Sequence, residues 1–93
     1  MGRDKLLHFF EKRGIDIRHI PLDVLSRARK IILRLEHGES YRAFRGKRLR
    51  RNRESISIPL GPKWRMLADE VDHRIMVQRI LSHQAYNTKL AVE

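Results

Sequence analysis

The chain has 93 residues, which leaves room for one domain and excludes a second, because domains usually need roughly 100 residues or more. Lysine and arginine number 21 against 11 aspartate and glutamate, so the net charge is +10 and polyanions are the expected partners. The absence of cysteine excludes disulfides, thiol nucleophiles and cysteine-bound zinc. No apolar run reaches the roughly 18–20 residues of a membrane span, and none forms a signal peptide, so we expect a cytoplasmic protein without a membrane partner.

Two helices are predicted in the first half of the chain. Residues 4–13 repeat their apolar side chains at helical spacing before Gly14. A longer amphipathic helix covers residues 22–37, where apolar residues recur at steps of three and four until Gly38. A short helical turn is expected after Ser40, whose hydroxyl is suited to cap it.

The spacing of apolar residues changes from 3.6 to 2 in the second half of the chain, which indicates strands. Ile56, Ile58 and Leu60 alternate with serine or proline before a Gly-Pro turn signal, a second strand starts at Trp64, and a third covers residues 74–81. Short connections favour an antiparallel meander. The sequence therefore predicts an α+β fold in which N-terminal helices pack on a C-terminal antiparallel sheet of three to four strands.

The faces of the third strand decide which of its side chains join the core. Strict alternation puts Ile75 and Val77 on one face, with Arg79 as a candidate third member, and puts Ile80 on the opposite face. We treat residues 1–93 as a single domain in which residues 1–20 form an N-terminal extension.

Seven basic side chains and no carboxylate lie between residues 42 and 53. Repulsion among these cations is costly unless a polyanion relieves it, which favours binding to nucleic acid, to the ribosome or to an acidic protein. An ordinary solvated surface is the alternative. The candidate binding residues are Arg45, Lys47, Arg48, Arg50, Arg51 and Arg53.

Four short motifs follow one another in the second half of the chain: GKRL at 46–49, SISIPLG at 55–61, KWRML at 63–67 and ILSHQAYN at 80–87. In this order they resemble the small RelE/ParE toxins of bacterial toxin–antitoxin pairs, and most closely the ParE-like toxins found in prophages. The resemblance covers about residues 20–90. It implies two helices packed on an antiparallel sheet, and a cognate antitoxin that we expect to be acidic.

The resemblance also suggests residues for chemistry. Ribonuclease members of this superfamily cut messenger RNA on the ribosome without a metal, by attack of a ribose 2′-hydroxyl on the adjacent phosphate. By this resemblance His83 is the candidate general acid or base, Arg65 the phosphate clamp, and Tyr86 a residue that stacks on a base or orients the phosphate. The alternatives are a surface histidine, an arginine paired with Glu54 or with an acid of the turn at residues 69–72, and a tyrosine that closes a small core.

Three functions stay open at this point. The first is a toxin that inhibits translation by ribosome-dependent cleavage of messenger RNA, in which His83 and Arg65 face one another across an open, positive cleft. The second is a ParE-like toxin that acts on DNA gyrase without chemistry of its own. The third is a basic nucleic-acid-binding module whose affinity falls steeply with salt. No cofactor and no metal are expected, because the other histidines lack the spacing of metal ligands.

Overall fold

The computed structural model describes residues 2–85 and has two helices followed by a four-stranded antiparallel sheet. Helix α1 covers Arg3–Lys12, helix α2 covers Leu22–Glu36, and a 3₁₀ turn covers Tyr41–Phe44. The strands are β1 (Lys47–Arg48), β2 (Ser55–Pro59), β3 (Trp64–Val71) and β4 (Arg74–Ser82), and they lie side by side in chain order. The predicted α+β class is confirmed. Within residues 2–85 no helix has the length and apolar character needed to cross a membrane.

The two helices pack against each other and against the sheet through apolar stripes. Helix α2 presents a buried stripe with helical spacing, made of Val24, Leu25, Ala28, Ile32 and Leu35. Helix α1 adds Leu6 and Phe10 to the same core. Just after α1, Arg13 donates two hydrogen bonds of 2.8 and 2.9 Å to the Glu36 carboxylate and lies 3.6 Å above the Phe9 ring. The first helix, within the segment expected to be an extension, therefore contributes side chains to the core.

The alternation of side chains along β4 is interrupted by a β-bulge. The register of β4 against β3 shifts just after Leu67, and Gln78 is the extra residue. Val77 and Ile80 therefore share the core face, and Arg79 opposes Leu67 on the other face. The prediction that grouped Arg79 with Val77, and placed Ile80 opposite, is wrong because strict alternation does not hold across a bulge.

The turn between β3 and β4 is shorter than the acidic turn expected at residues 69–72. Strand β3 continues to Val71, and only Asp72 and His73 form the turn, with φ values of 51° and 66°. Two successive residues with positive φ form the type of two-residue turn whose twist suits a hairpin, and aspartate and histidine tolerate this conformation better than most residues. Asp69 and Glu70 therefore belong to the strand.

The sheet has two faces with different neighbours. The inner face packs on the helices and carries the buried side chains of Ile56, Ile58, Met66, Ala68 and Ile80. The opposite face, which we call the outer face, has Ser57 and Leu67 at its centre, and both are buried. The side chains around these two residues include Lys47, Arg65 and Arg79, together with the apolar Leu81 and Met76.

Candidate nucleic-acid interface

His83 follows β4 directly, at the end of the sheet where the β2–β3 turn lies. Its backbone N–H donates a hydrogen bond of 2.7 Å to the carbonyl oxygen of Lys63. This bond extends the β3–β4 ladder beyond the pairing of Arg65 with Leu81. Lys63 precedes β3, and His83 begins the helical stretch that follows β4, so this backbone contact brings the two residues together at the end of the sheet nearest Arg65. The side chain of His83 is exposed.

Arg65 lies on the outer face of β3, between Pro59 of β2 and Leu81 of β4. It is half-buried, and its Nη1 donates a hydrogen bond of 3.2 Å to Oγ of Ser57. Ser57 is only 3% exposed, so its hydroxyl is fixed by the packing around it. This contact restricts the guanidinium group, which is the planar, always charged group that best matches a phosphate.

A row of four residues crosses the outer face from one edge of the sheet to the other. The register pairs Lys47 with Ser57, Ser57 with Leu67, and Leu67 with Arg79. Lys47 and Arg79 are exposed at the two ends of this row, about 14 Å apart at the usual spacing of strands. Asp69 is the carboxylate on this face, and it already accepts a hydrogen bond of 2.9 Å from Ser55 Oγ. Lys47, Arg65 and Arg79 outnumber this one carboxylate, so the outer face carries an excess of positive charge.

Arg48 does not lie beside Lys47, although the two are neighbours in the chain. Successive residues of a strand point to opposite faces, and Arg48 therefore points away from the outer face. Its Nη2 donates to Glu70 Oε1 at 2.8 Å and its Nη1 to the carbonyl oxygen of Arg53 at 2.7 Å. The hydrogen bond that Arg48 donates to Glu70 raises the pKa of Arg48 above its ordinary value. These contacts occupy the guanidinium group of Arg48 and stabilise the fold.

Arg42 and Arg45 lie at the 3₁₀ turn. The guanidinium groups of Arg42 and Arg48 lie 5.7 and 5.3 Å from the centre of the Tyr41 ring. Burial by itself raises the pKa of the Tyr41 phenol, but Arg42 and Arg48 outweigh this effect and lower that pKa below its usual value. Arg45 ends the turn in a left-handed conformation with φ of 63° and is exposed.

Arg50, Arg51 and Arg53 lie in the loop between β1 and β2, and all three are exposed. This loop adjoins the start of β2, where Ser55 pairs with Asp69. His83 lies at the other end of β3, beside Lys63. The distance along the strand between these two ends is about 20 Å at the usual rise per residue. The exposed arginines of this loop and His83 therefore lie at opposite ends of the sheet.

Of the three residues predicted for chemistry, Arg65 and His83 come to the same end of the sheet, and Tyr86 lies outside the described residues. Sequence reasoning missed Lys63 and Arg79. The role of Lys63 depends on the register that brings it beside His83, and the position of Arg79 depends on the bulge. Among residues 2–85, no cluster of histidine and acidic side chains has the size needed to hold a metal ion.

A groove of about 1040 Å³ lies between the C-terminal end of α2 and strand β4, away from the residues just described. Its floor is apolar and includes Ile15, Ile32, Leu35, Ile75 and Val77. Two carboxylates at its rim are paired, Glu36 with Arg13 and Glu70 with Arg48. None of the described residues that were predicted for catalysis or for nucleic-acid binding lines this groove.

The fold and the outer face define a small, basic α+β protein with a cationic sheet face. A family model described as the ParE-like toxin domain matches residues 22–88. The chain belongs to this family, and through it to the RelE/ParE toxin superfamily that the four motifs indicated. It is the toxin of a toxin–antitoxin pair, and its partner is a cognate antitoxin. Comparisons with the curated proteins and with the solved structures gave no match.

Proposed function

We propose that this toxin inhibits translation by cleaving messenger RNA on the ribosome, with the outer face as its RNA-binding surface. One observation carries the proposal: Arg65, bonded to Ser57 at 3.2 Å, lies at the same end of the sheet as Lys63 and His83, whose backbones are joined at 2.7 Å. A phosphate clamp and an exposed imidazole at one end of a cationic face are the groups that RNA cleavage needs.

The reaction follows from the chemistry of RNA itself. A base takes the proton of the ribose 2′-hydroxyl, the 2′-oxygen attacks the adjacent phosphorus, and the 5′-oxygen leaves with a proton from an acid. The products are a 2′,3′-cyclic phosphate and a 5′-hydroxyl. We assign His83 to proton transfer, and Arg65 to the charge that develops on the phosphoryl oxygens.

The neighbouring cations extend this assignment along the RNA. Lys47 and Arg79 flank the centre of the outer face and are exposed. Each is suited to contact a phosphate next to the one that reacts, which adds affinity without base specificity. The carboxylate of Asp69 offsets one positive charge, and Lys47, Arg65 and Arg79 together leave the outer face with a net positive charge.

The test is primer extension on cellular messages after a short induced pulse of the protein. Cuts in codon register are expected for the wild type, and they should vanish for His83→Ala at matched expression. His8→Ala is the matched control, because His8 is exposed on helix α1, on the other side of the sheet from the outer face. Growth arrest with intact messages would remove the nuclease mechanism.

Inhibition of DNA gyrase is the second candidate, and the match to the ParE-like toxin domain is the observation that favours it. Under this alternative the protein binds its target without chemistry, so His83→Ala arrests growth as the wild type does. A supercoiling assay with purified gyrase would then show inhibition. Binding to RNA or DNA with neither arrest nor cleavage would leave the third reading, a basic nucleic-acid-binding module.

We infer that the cognate antitoxin is acidic and covers the outer face, because carboxylates there relieve the repulsion among Lys47, Arg65 and Arg79. An extended or helical segment of the antitoxin is long enough to follow the row across the sheet. The complex should therefore fail to bind an RNA oligonucleotide that the isolated toxin binds. An RNA-binding complex would contradict this placement.

A further inference from the structure

The loop between β1 and β2 carries a cationic surface of its own, which we call the hairpin tip and define as residues 50–54. Arg50, Arg51 and Arg53 are exposed there, and among residues 2–85 their side chains form no ion pair. Three like charges within four residues repel one another, and Glu54 is the one carboxylate of the hairpin tip, which keeps a net charge of +2. A bound anion would relieve this repulsion, so the hairpin tip favours anion binding.

The backbone of the hairpin tip is held by several hydrogen bonds. Leu49 N–H donates to the Ser55 carbonyl at 2.9 Å, and Ser55 N–H donates to the Asn52 carbonyl at 3.0 Å. The Asn52 side chain accepts a hydrogen bond of 3.2 Å from the N–H of Glu54. Arg48 also binds the carbonyl of Arg53 at 2.7 Å. The guanidinium groups therefore project from an ordered turn, and a ligand does not have to order the backbone when it binds.

The composition of the hairpin tip decides between two kinds of partner. Residues 50–54 read Arg-Arg-Asn-Arg-Glu and contain no apolar side chain. Protein–protein interfaces have an apolar centre from which charged residues are depleted, and the hairpin tip has no such centre. Arginine forks match phosphate oxygens in a bidentate geometry, and phosphate contacts require no apolar surface.

We propose that the hairpin tip is a docking site for the phosphodiester backbone of a nucleic acid, separate from the end of the sheet that carries Arg65 and His83. The start of β2, beside the hairpin tip, lies about 20 Å along β3 from the Lys63–His83 contact, so the two surfaces contact different phosphates. The hairpin tip supplies affinity and takes no part in bond breaking. This role does not depend on the cleavage reaction, and it holds equally for a toxin that breaks no RNA.

The test measures binding of the full chain to a fluorescent single-stranded RNA, and to DNA of the same sequence, across a range of salt concentrations. The variant is Arg50→Gln, Arg51→Gln and Arg53→Gln together. Its matched control is Arg3→Gln, Lys5→Gln and Lys30→Gln, which removes the same charge from exposed positions on the two helices. Thermal unfolding followed by circular dichroism shows that each variant is folded.

We expect the hairpin variant to bind about ten-fold more weakly or worse, and its plot of log affinity against log salt to be shallower by about 2, since three phosphate contacts are lost. The control variant should keep the wild-type slope. Equal affinities for RNA and DNA would show that the hairpin tip contacts only the phosphodiester backbone. A higher affinity for RNA would show that RNA is the nucleic acid it binds. Both results support the proposal.

Equal slopes for the hairpin and control variants would overturn the docking site. So would a hairpin variant that keeps its affinity for nucleic acid and loses only its complex with the antitoxin. Loss of the nuclease function has a separate signature, which is intact messages in the primer-extension experiment. The two proposals therefore fail in different assays.

Discussion

Nη2 of Arg48 lies 2.8 Å from Oε1 of Glu70, and this ion pair separates the role of Arg48 from that of Lys47, its neighbour in the chain. Both side chains of the pair are partly buried, at 26% and 32% exposure. Lys47 is exposed on the opposite face, in register with Ser57. Of two adjacent cations in one basic run, Arg48 is therefore held in an ion pair and Lys47 is exposed on the opposite face.

Arg48→Gln should lower the free energy of unfolding by about 1–2 kcal/mol, because it removes an ion pair and a hydrogen bond to a backbone carbonyl. RNA affinity should stay near that of the wild type. Lys47→Gln should do the reverse and weaken RNA binding with little change in stability. Urea unfolding and fluorescence anisotropy measure the two quantities. Weaker RNA binding by Arg48→Gln than by Lys47→Gln would contradict the division.

Ser57→Ala should reduce cleavage of messages about ten-fold, because it removes the hydroxyl that accepts the 3.2 Å hydrogen bond from Arg65. Ser55→Ala is the matched control, since Ser55 lies on the same face and bonds to Asp69 instead. Band intensities in primer extension at matched expression give the comparison. Equal losses for the two serine variants would show that Ser57 acts through the fold alone.

Gly46→Ala should destabilise the protein by about 2 kcal/mol or more. A Cβ at Gly46 would lie 2.8 Å from the backbone oxygen of Tyr41 and 3.1 Å from Cγ1 of Ile58. The backbone there has no room to move, because Gly46 N–H bonds to the same Tyr41 oxygen at 3.0 Å. Gly2→Ala serves as the control, since a Cβ at Gly2 has no neighbour within 4 Å. Thermal unfolding of both variants checks the expectation.

The contact between α1 and α2 should respond to acid. The hydrogen bonds from Arg13 lower the pKa of Glu36 below its ordinary value of 4.5, although partial burial acts in the opposite direction. A carboxylate whose pKa is lower in the folded state stabilises the fold above its unfolded pKa, and that stability is lost as the pH falls through the folded pKa.

Glu36→Gln should therefore cost about 0.5–1 kcal/mol at pH 7, a modest amount because the Glu36 side chain is 43% exposed. The difference from the wild type should shrink as the pH falls below 4.5. Chemical unfolding at a series of pH values measures this. Glu11→Gln, at an exposed position on α1, is the matched control for the loss of a carboxylate. A constant difference at every pH would contradict the role of the ion pair.

The sequence predicted both helices and three of the four strands because their apolar residues repeat with the period of each element. Helix α2 starts at Leu22 as expected and ends one residue earlier than expected, at Glu36. The two-residue strand β1 was not predicted, since Lys47 and Arg48 carry no apolar pattern. These two residues form a strand only because they hydrogen-bond to β2.

The sequence by itself determined the helices-before-sheet order, the positive charge and the ParE-like family, because these depend on local periodicity, composition and motif order. The tertiary structure decided which charged side chains lie close together. The bulge at Gln78 brought Arg79 to the outer face, and the register of β3 with β4 brought Lys63 beside His83. Pairing with β2 sent Lys47 and Arg48 to opposite faces. Strand register joins residues that are far apart in the chain, and local spacing holds no information about it.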